Sequence, residues 1–276
     1  MNGIGNLLTA WDFDPSIVIG CAALLAAYAL AQRGDYSHAP WFVAGAAAMF
    51  LALVSPLDAL SDHYLFSAHM LQHLILILIV PPLLITGQSE KFVRSVLAIP
   101  ALARIERVLT RPALAWTLAA GALWLWHWPV LYDAALGDEN VHIVEHLCFL
   151  VTATIFWWPI FAPVASARME STHAIIYLAT AAVSNSLLAI LLTFAKPGLY
   201  PAYVHPADPL GIIAMLRDGC GITPTVDQQL GGLLMWVPGG LIYLGAIMFV
   251  MARWYSKPEA RGRAVGVGLR TIQRIT

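Results

Sequence analysis

Apolar residues along this chain run on almost without interruption, neither alternating with polar ones nor confined to one helical stripe. Seven stretches nearly free of charge reach roughly 18 residues or more, the length a helix needs to cross a bilayer. They cover 15–32, 39–57, 63–87, 112–136, 141–167, 172–195 and 228–252. None shows the period of two expected of barrel strands, so the pattern predicts an all-α fold: one membrane-embedded domain, 1–276, with seven transmembrane helices in one bundle. The first stretch ends in Ala29-Leu30-Ala31, which resembles a signal-peptidase site. Asp12 and Asp14 precede it without any Lys or Arg, the wrong sign for a signal peptide, so a retained span is expected. Segment 88–111 has the pattern of a basic amphipathic helix on the membrane surface, with Ile99, Leu102, Ile105 and Leu109 as its apolar contacts. The segment from Lys196 to Asp227 contains five prolines and a short apolar piece, 210–216, expected to lie on the membrane or re-enter it.

Composition agrees. The chain has 276 residues, 59% hydrophobic and 11% charged, with mean hydropathy +0.73, whereas soluble domains are about a quarter charged. The formal charge of −1 gives no reason to expect a nucleic-acid partner. Cys21, Cys148 and Cys220 are widely spaced and form no Cys-x-x-Cys, so no disulfide framework is expected.

Charge sets the orientation. Arg33 follows the first stretch; Lys91, Arg94, Arg104, Arg107 and Arg111 follow the third; Arg168 follows the fifth; Arg253, Lys257, Arg261, Arg263, Arg270 and Arg274 follow the seventh. Only Lys196 and Arg217 fall in the other connections, so thirteen of fifteen basic residues share one side. The positive-inside rule then predicts the N-terminus outside and the C-terminus in the cytoplasm.

This orientation gathers six of the nine histidines into the outer half of the membrane. His63 stands at the mouth of the third stretch, with His69 roughly 9 Å and His73 roughly 15 Å below it at about 1.5 Å per residue. His127 reaches a similar depth on the fourth stretch, and His142 and His146 occupy the first two turns of the fifth. Residues four apart share a helix face, so each His-x-x-x-His pair can offer two imidazoles to one ion. Two facing pairs supply four neutral ligands, which suit copper, zinc, nickel or iron; Cu(I) leaves the smallest buried charge. Met70, Met235 and Cys148 add soft atoms nearby. Glu145 is placed to orient an imidazole or take its proton. Asp62, Asp58 and Asp227 at the outer rim can attract a cation or dock a chaperone. A single intramembrane histidine more often bonds neighbouring helices than binds metal; two matched pairs favour a site.

Other features read as structural. Asn185 is expected to bond between helices. Trp124, Trp126, Trp128, Trp157 and Trp158 fit interfacial belts. Pro81-Pro82 is expected to end or bend the third helix, and Pro238-Gly239-Gly240 to kink the seventh. No Gly-x-Ser-x-Gly, phosphate loop or His-Glu-x-x-His is present, so an enzyme is not expected. Two other classes stay open. A haem-binding electron-transfer or quinone-linked protein can use histidines from facing helices as axial ligands. A copper transporter needs polar residues continuing inward, and below His73 the third stretch reads Leu-Ile-Leu-Ile-Leu-Ile-Val, which ranks transport last.

Four ordered blocks carry a resemblance. They are His69-Met70-Leu71-Gln72-His73 with Pro81-Pro82 and Gly87; Trp126-His127-x-Pro129-x-x-Tyr132-Asp133-Ala134-Ala135-Leu136; His142-x-x-Glu145-His146 leading to Trp157-Trp158-Pro159; and Asp227-Gln228-x-x-Gly231-Gly232-x-x-Met235-Trp236-x-Pro238. Together they resemble the CtaG-type cytochrome c oxidase assembly factors, a multi-span family associated with caa-type oxidases. The resemblance covers most of the chain. It implies a protein of the bacterial cytoplasmic membrane that helps mature the oxidase, its partners being oxidase subunits and a periplasmic copper chaperone.

Overall fold

The computed structural model describes residues 2–32 and 34–256. Among these residues thirteen α-helices follow one another: α1 (Asn2–Leu8), α2 (Pro15–Ala31), α3 (Ala39–Val54), α4 (Pro56–His63), α5 (Phe66–Leu74), α6 (Val80–Thr86), α7 (Glu90–Leu97), α8 (Pro100–Leu109), α9 (Pro112–Trp126), α10 (Pro129–Gly137), α11 (Glu139–Phe161), α12 (Ser171–Phe194) and α13 (Pro224–Tyr255). No strand occurs among the described residues. Among the described residues four helices are long and apolar enough to cross a membrane: Phe66–Thr86 taken through α5 and α6, then α11, α12 and α13. The number rises to six if α3 with α4, bent by 50°, and α8 with α9, bent by 64°, each count as one span; α2 is a shorter apolar helix of 17 residues.

Proline chemistry explains where the boundaries depart from the sequence reading. The 112–136 stretch is two helices: Pro129 forces Trp128 out of helical backbone (φ −68°, ψ 127°), so α9 stops and His127 closes it. The helix expected over 141–167 ends at Phe161, with Ala162 extended before Pro163. The Arg168 guanidinium donates to the Ala162 and Pro163 carbonyls at 2.6 and 2.9 Å. Pro100 likewise splits segment 88–111 in two. On α8, Ile99, Leu102, Ile105 and Val108 are exposed and no residue is buried, leaving an apolar face bare as an interfacial helix requires.

Pro81-Pro82 does not end the third span. The chain passes from α5 through a π-helical turn, Ile75–Ile79, into α6. Pro81 has no N–H for the Ile77 carbonyl, and the Trp157 indole N–H takes its place at 2.9 Å. Trp157 is thus a core residue rather than part of an interfacial belt, as is Trp126; it packs with Leu74, Leu78, Phe156, Leu178 and Tyr243. Asn185 joins α12 to α13 through Nδ2 to the Met235 carbonyl, 2.8 Å, three residues before Pro238.

Hydrogen bonds sort the helix ends into two layers. At one end the Tyr28 hydroxyl donates to Gly87 O (2.9 Å), Gln32 to Gln88 (2.7 Å), Trp158 to Glu106 (2.9 Å) and Arg253 to Ile160 O (2.9 Å). This layer holds the basic segments. Arg33, Lys257, Arg261, Arg263, Arg270 and Arg274, counted in the orientation argument, lie outside the described residues. At the other end Asp12 N donates to Val54 O, Tyr203 to Ser61 O and Phe66 N to Asp227. Here segment 196–223 folds back over the bundle: Ile212 and Leu216 are buried against Tyr64, Leu65 and Ala68, so one face of 210–216 packs on protein. At the basic layer Glu170 caps α12, and the N–H groups of Thr172 and His173 hold its carboxyl below the usual carboxylate range.

Candidate metal centre

The histidine pairs of α5 and α11 meet at the end opposite the basic layer. Helical spacing sets His69 and His73 rings 4.2 Å apart by centroid, and His142 and His146 likewise 4.2 Å. Across the interface His69 lies 5.4 Å from His142 and 6.4 Å from His146, and His73 lies 5.4 Å from His146. Two carboxylates join from opposite edges. Glu145 Oε1 is 3.9 Å from His73 Nε2, and Asp62 Oδ2 is 3.7 Å from His142 Nδ1. The result is two overlapping ligand sets that share His69, Asp62/His69/His142 and His69/His73/Glu145, each with its donor atoms within 4.8 Å of one another. His146 stands beside both.

Burial grades the two sets. Side-chain exposure is 27% for Asp62 and 13% for His142, but 3% for His73 and 1% for Glu145. The first set faces the entrance and the second is sealed. Both ring nitrogens of His69 and His73, Nε2 of His142 and His146, and both oxygens of Glu145 are buried without a protein hydrogen-bond partner among the described residues. Buried polar atoms nearly always have partners, so eight orphaned donors and acceptors in one cluster of side chains, from which each ligand set draws one atom per residue, fit a bound cation.

The surroundings hold the rings in place. Gln72, fully buried between the two α5 histidines, donates to Ala52 O (2.9 Å) and Asp58 Oδ1 (2.7 Å), and its oxygen lies 3.0 Å from the Ser61 hydroxyl. An aromatic cover of Phe66, Tyr132, Tyr200 and Tyr203 closes the top. Tyr132 and Tyr203 hydroxyls are 3.2 Å apart, Tyr203 donates to Ser61 O, and Tyr200 donates to His127 O, both at 2.8 Å. Sequence reasoning passed over Gln72 and Tyr132 although both lie in the quoted blocks. Tyr200 and Tyr203 sit in a connection with no local signal.

The remaining sequence candidates divide. His127 closes α9 beside His73, with ring centroids 6.2 Å apart, and contacts Met70. Met235 lines the same small cavity as Met70, His73 and His127. His63 ends α4 rather than opening the third span, and its side chain is exposed. Cys148 is partly buried against Ala122, Trp126 and Phe149. Asp227 is buried, and its carboxylate accepts the N–H groups of Phe66 and Ser67 instead of standing free at the rim.

No curated protein and no solved structure matches the chain. Residues 23–257 match the family model described as cytochrome c oxidase caa3 assembly factor (Caa3_CtaG), and the chain belongs to that family of membrane proteins.

Proposed function

We propose that this protein receives copper at its histidine cluster from the outer side of the bacterial cytoplasmic membrane and helps its insertion into cytochrome c oxidase. The observation that carries the reading is the set of orphaned nitrogens and carboxylate oxygens of His69, His73, His142, His146 and Glu145, brought together from two helices. Membership of an oxidase assembly family supports the destination. In either ligand set two neutral imidazoles and one carboxylate leave a monovalent ion neutral and a divalent ion with one net charge, a modest burden in a low-dielectric site. Sharing of His69 supports passage of one ion at a time from the exposed Asp62 set to the sealed Glu145 set. Imidazole exchange lets the site release its cargo.

The same reading takes α2 as a seventh span, the N-terminus as external and the C-terminus as cytoplasmic. Oxidase subunits are its partners, with a periplasmic copper chaperone as donor at the Asp62 entrance, and its role is carriage rather than catalysis. The close ring packing supports an ion over a haem, since the cavity beside His73 and His127 holds about 20 Å³. Metal analysis with X-ray absorption on the purified protein tests the proposal. Wild type is expected to bring copper bound by imidazole, and His73→Ala and His146→Ala to lose both the metal and oxidase assembly in cells. Full copper content and normal assembly in both variants would remove it.

A further inference from the structure

Inward of the imidazole and carboxylate ligands the donor chemistry changes. His127 Nδ1 lies 2.7 Å from the Leu123 carbonyl, an oxygen that can only accept, so Nδ1 carries the ring proton. In the neutral ring Nε2 is then a bare lone pair. It faces Met70 Sδ at 3.3 Å, and a thioether has no hydrogen to give. Two lone pairs thus stand opposite each other in a buried place with no proton between them. Met70 is fully buried and His127 nearly so. His73, whose two nitrogens are both without partners, and Met235 line the same cavity of about 20 Å³, about the room one small ion or water needs.

We propose that His127 and Met70, completed by His73 and Met235, form a second station for a soft monovalent cation, Cu(I) or Ag(I). It is separate from the Asp62/His69/His142 set and rests on the reading that metal enters the histidine cluster. Thioether and imidazole without carboxylate select a soft ion of single charge, whereas the outer set suits divalent ions as well. From the entrance inward, the ligands pass from carboxylate with imidazole to imidazole with thioether. His73 belongs to both the sealed carboxylate set and the soft station, so it is the residue across which an ion changes ligands.

The test uses the full chain in nanodiscs, with Cys21→Ala, Cys148→Ala and Cys220→Ser removing competing thiols, and with Ag(I) and Zn(II) as probes. Met70→Leu conserves volume and keeps the fold. It is expected to lower Ag(I) affinity about tenfold or more, the scale seen on removing a metal-site group, and to weaken silver–sulfur scattering to what Met235 alone supplies, while Zn(II) binding stays as in the parent. His142→Ala is expected to do the reverse. Ag(I) affinity in Met70→Leu equal to the parent's, or a parent silver spectrum without sulfur, overturns the soft station alone. A parent chain that binds neither ion overturns the station together with the wider metal reading.

Discussion

Asp227 caps a helix to which it does not belong. From the first turn of α13 its carboxylate accepts the backbone N–H of Phe66 at 2.7 Å and of Ser67 at 3.0 Å, and the Ser67 hydroxyl donates to it as well. These are orphan donors at the start of α5, the helix that presents His69 and His73. A carboxylate there also meets the positive end of the helix dipole. Asp227→Ala leaves those donors buried and unpaired at a cost of roughly 1–3 kcal/mol, and thermal unfolding in detergent should show a lower midpoint. Asp227→Asn keeps one acceptor and should fall between. If Asp227 instead served to attract cations at the rim, both variants would lose metal uptake at unchanged stability.

Trp157 stabilises the π turn that follows His73. Its indole N–H satisfies the Ile77 carbonyl left free by Pro81. Trp157→Phe keeps most of the apolar contact with Phe156 and Tyr243 but strands that carbonyl, so a loss of roughly 1–3 kcal/mol is expected. Trp157→Phe unfolding at the wild-type midpoint would show that the carbonyl finds another partner.

Two adjacent glycines set how closely α13 approaches its neighbours. A Cβ on Gly232 would stand 2.7 Å from the Thr193 backbone nitrogen and 2.9 Å from Ala189 O, while one on Gly231 would collide with the Phe66 ring. Overpacking of this kind costs about 1–3 kcal/mol. Gly232→Ala should be the more harmful for the fold, since α12 backbone cannot yield. Gly231→Ala should displace Phe66 and with it the aromatic cover, and so speed metal loss more than it lowers stability. Metal release rates and unfolding midpoints measured together separate the two effects.

How far the site was legible follows from the reach of each signal. The two histidine pairs and the common depth of the cluster come from i, i+4 spacing and loop charge, both local quantities, whereas the pairing of Glu145 with His73 joins two helices and does not. The break at His127 was also legible, because Pro129 stood in the sequence, but an uninterrupted apolar run outweighed it. Met70 reads in the sequence as no more than a soft atom nearby, since it is one residue off the histidine face. That face is a property of α5 alone, and Met70 meets His127 only because α9 packs beside it. Asp227 acts across 160 residues of chain, and Tyr203 reaches Ser61 across 142. Such contacts are fixed by tertiary packing and leave no trace in periodicity.

Glu145 separates a metal site from a merely polar core. Its carboxylate is buried with neither oxygen hydrogen-bonded and stands 3.9 Å from His73 Nε2. Glu145→Gln preserves size while removing the charge that offsets a cation. Copper affinity should drop by about 10- to 100-fold with little change in unfolding midpoint, read by competition with a chromogenic chelator. An unchanged affinity would leave the cluster without its sealed ligand set and confine metal to the entrance set.

Cys220 offers a test of orientation that needs no added label site. Among the three cysteines it is exposed, whereas Cys21 is buried and Cys148 partly so. It lies in the 196–223 segment that covers the histidine end of the bundle, opposite the layer where the basic segments gather. In a Cys148→Ala background, a membrane-impermeant maleimide added to intact spheroplasts should therefore modify Cys220 without permeabilisation. Modification only after the membrane is opened would reverse the topology and turn the Asp62 entrance toward the cytoplasm. Copper would then have to arrive from inside the cell, and the periplasmic donor in the proposed function would be excluded while the ligand geometry stood unchanged.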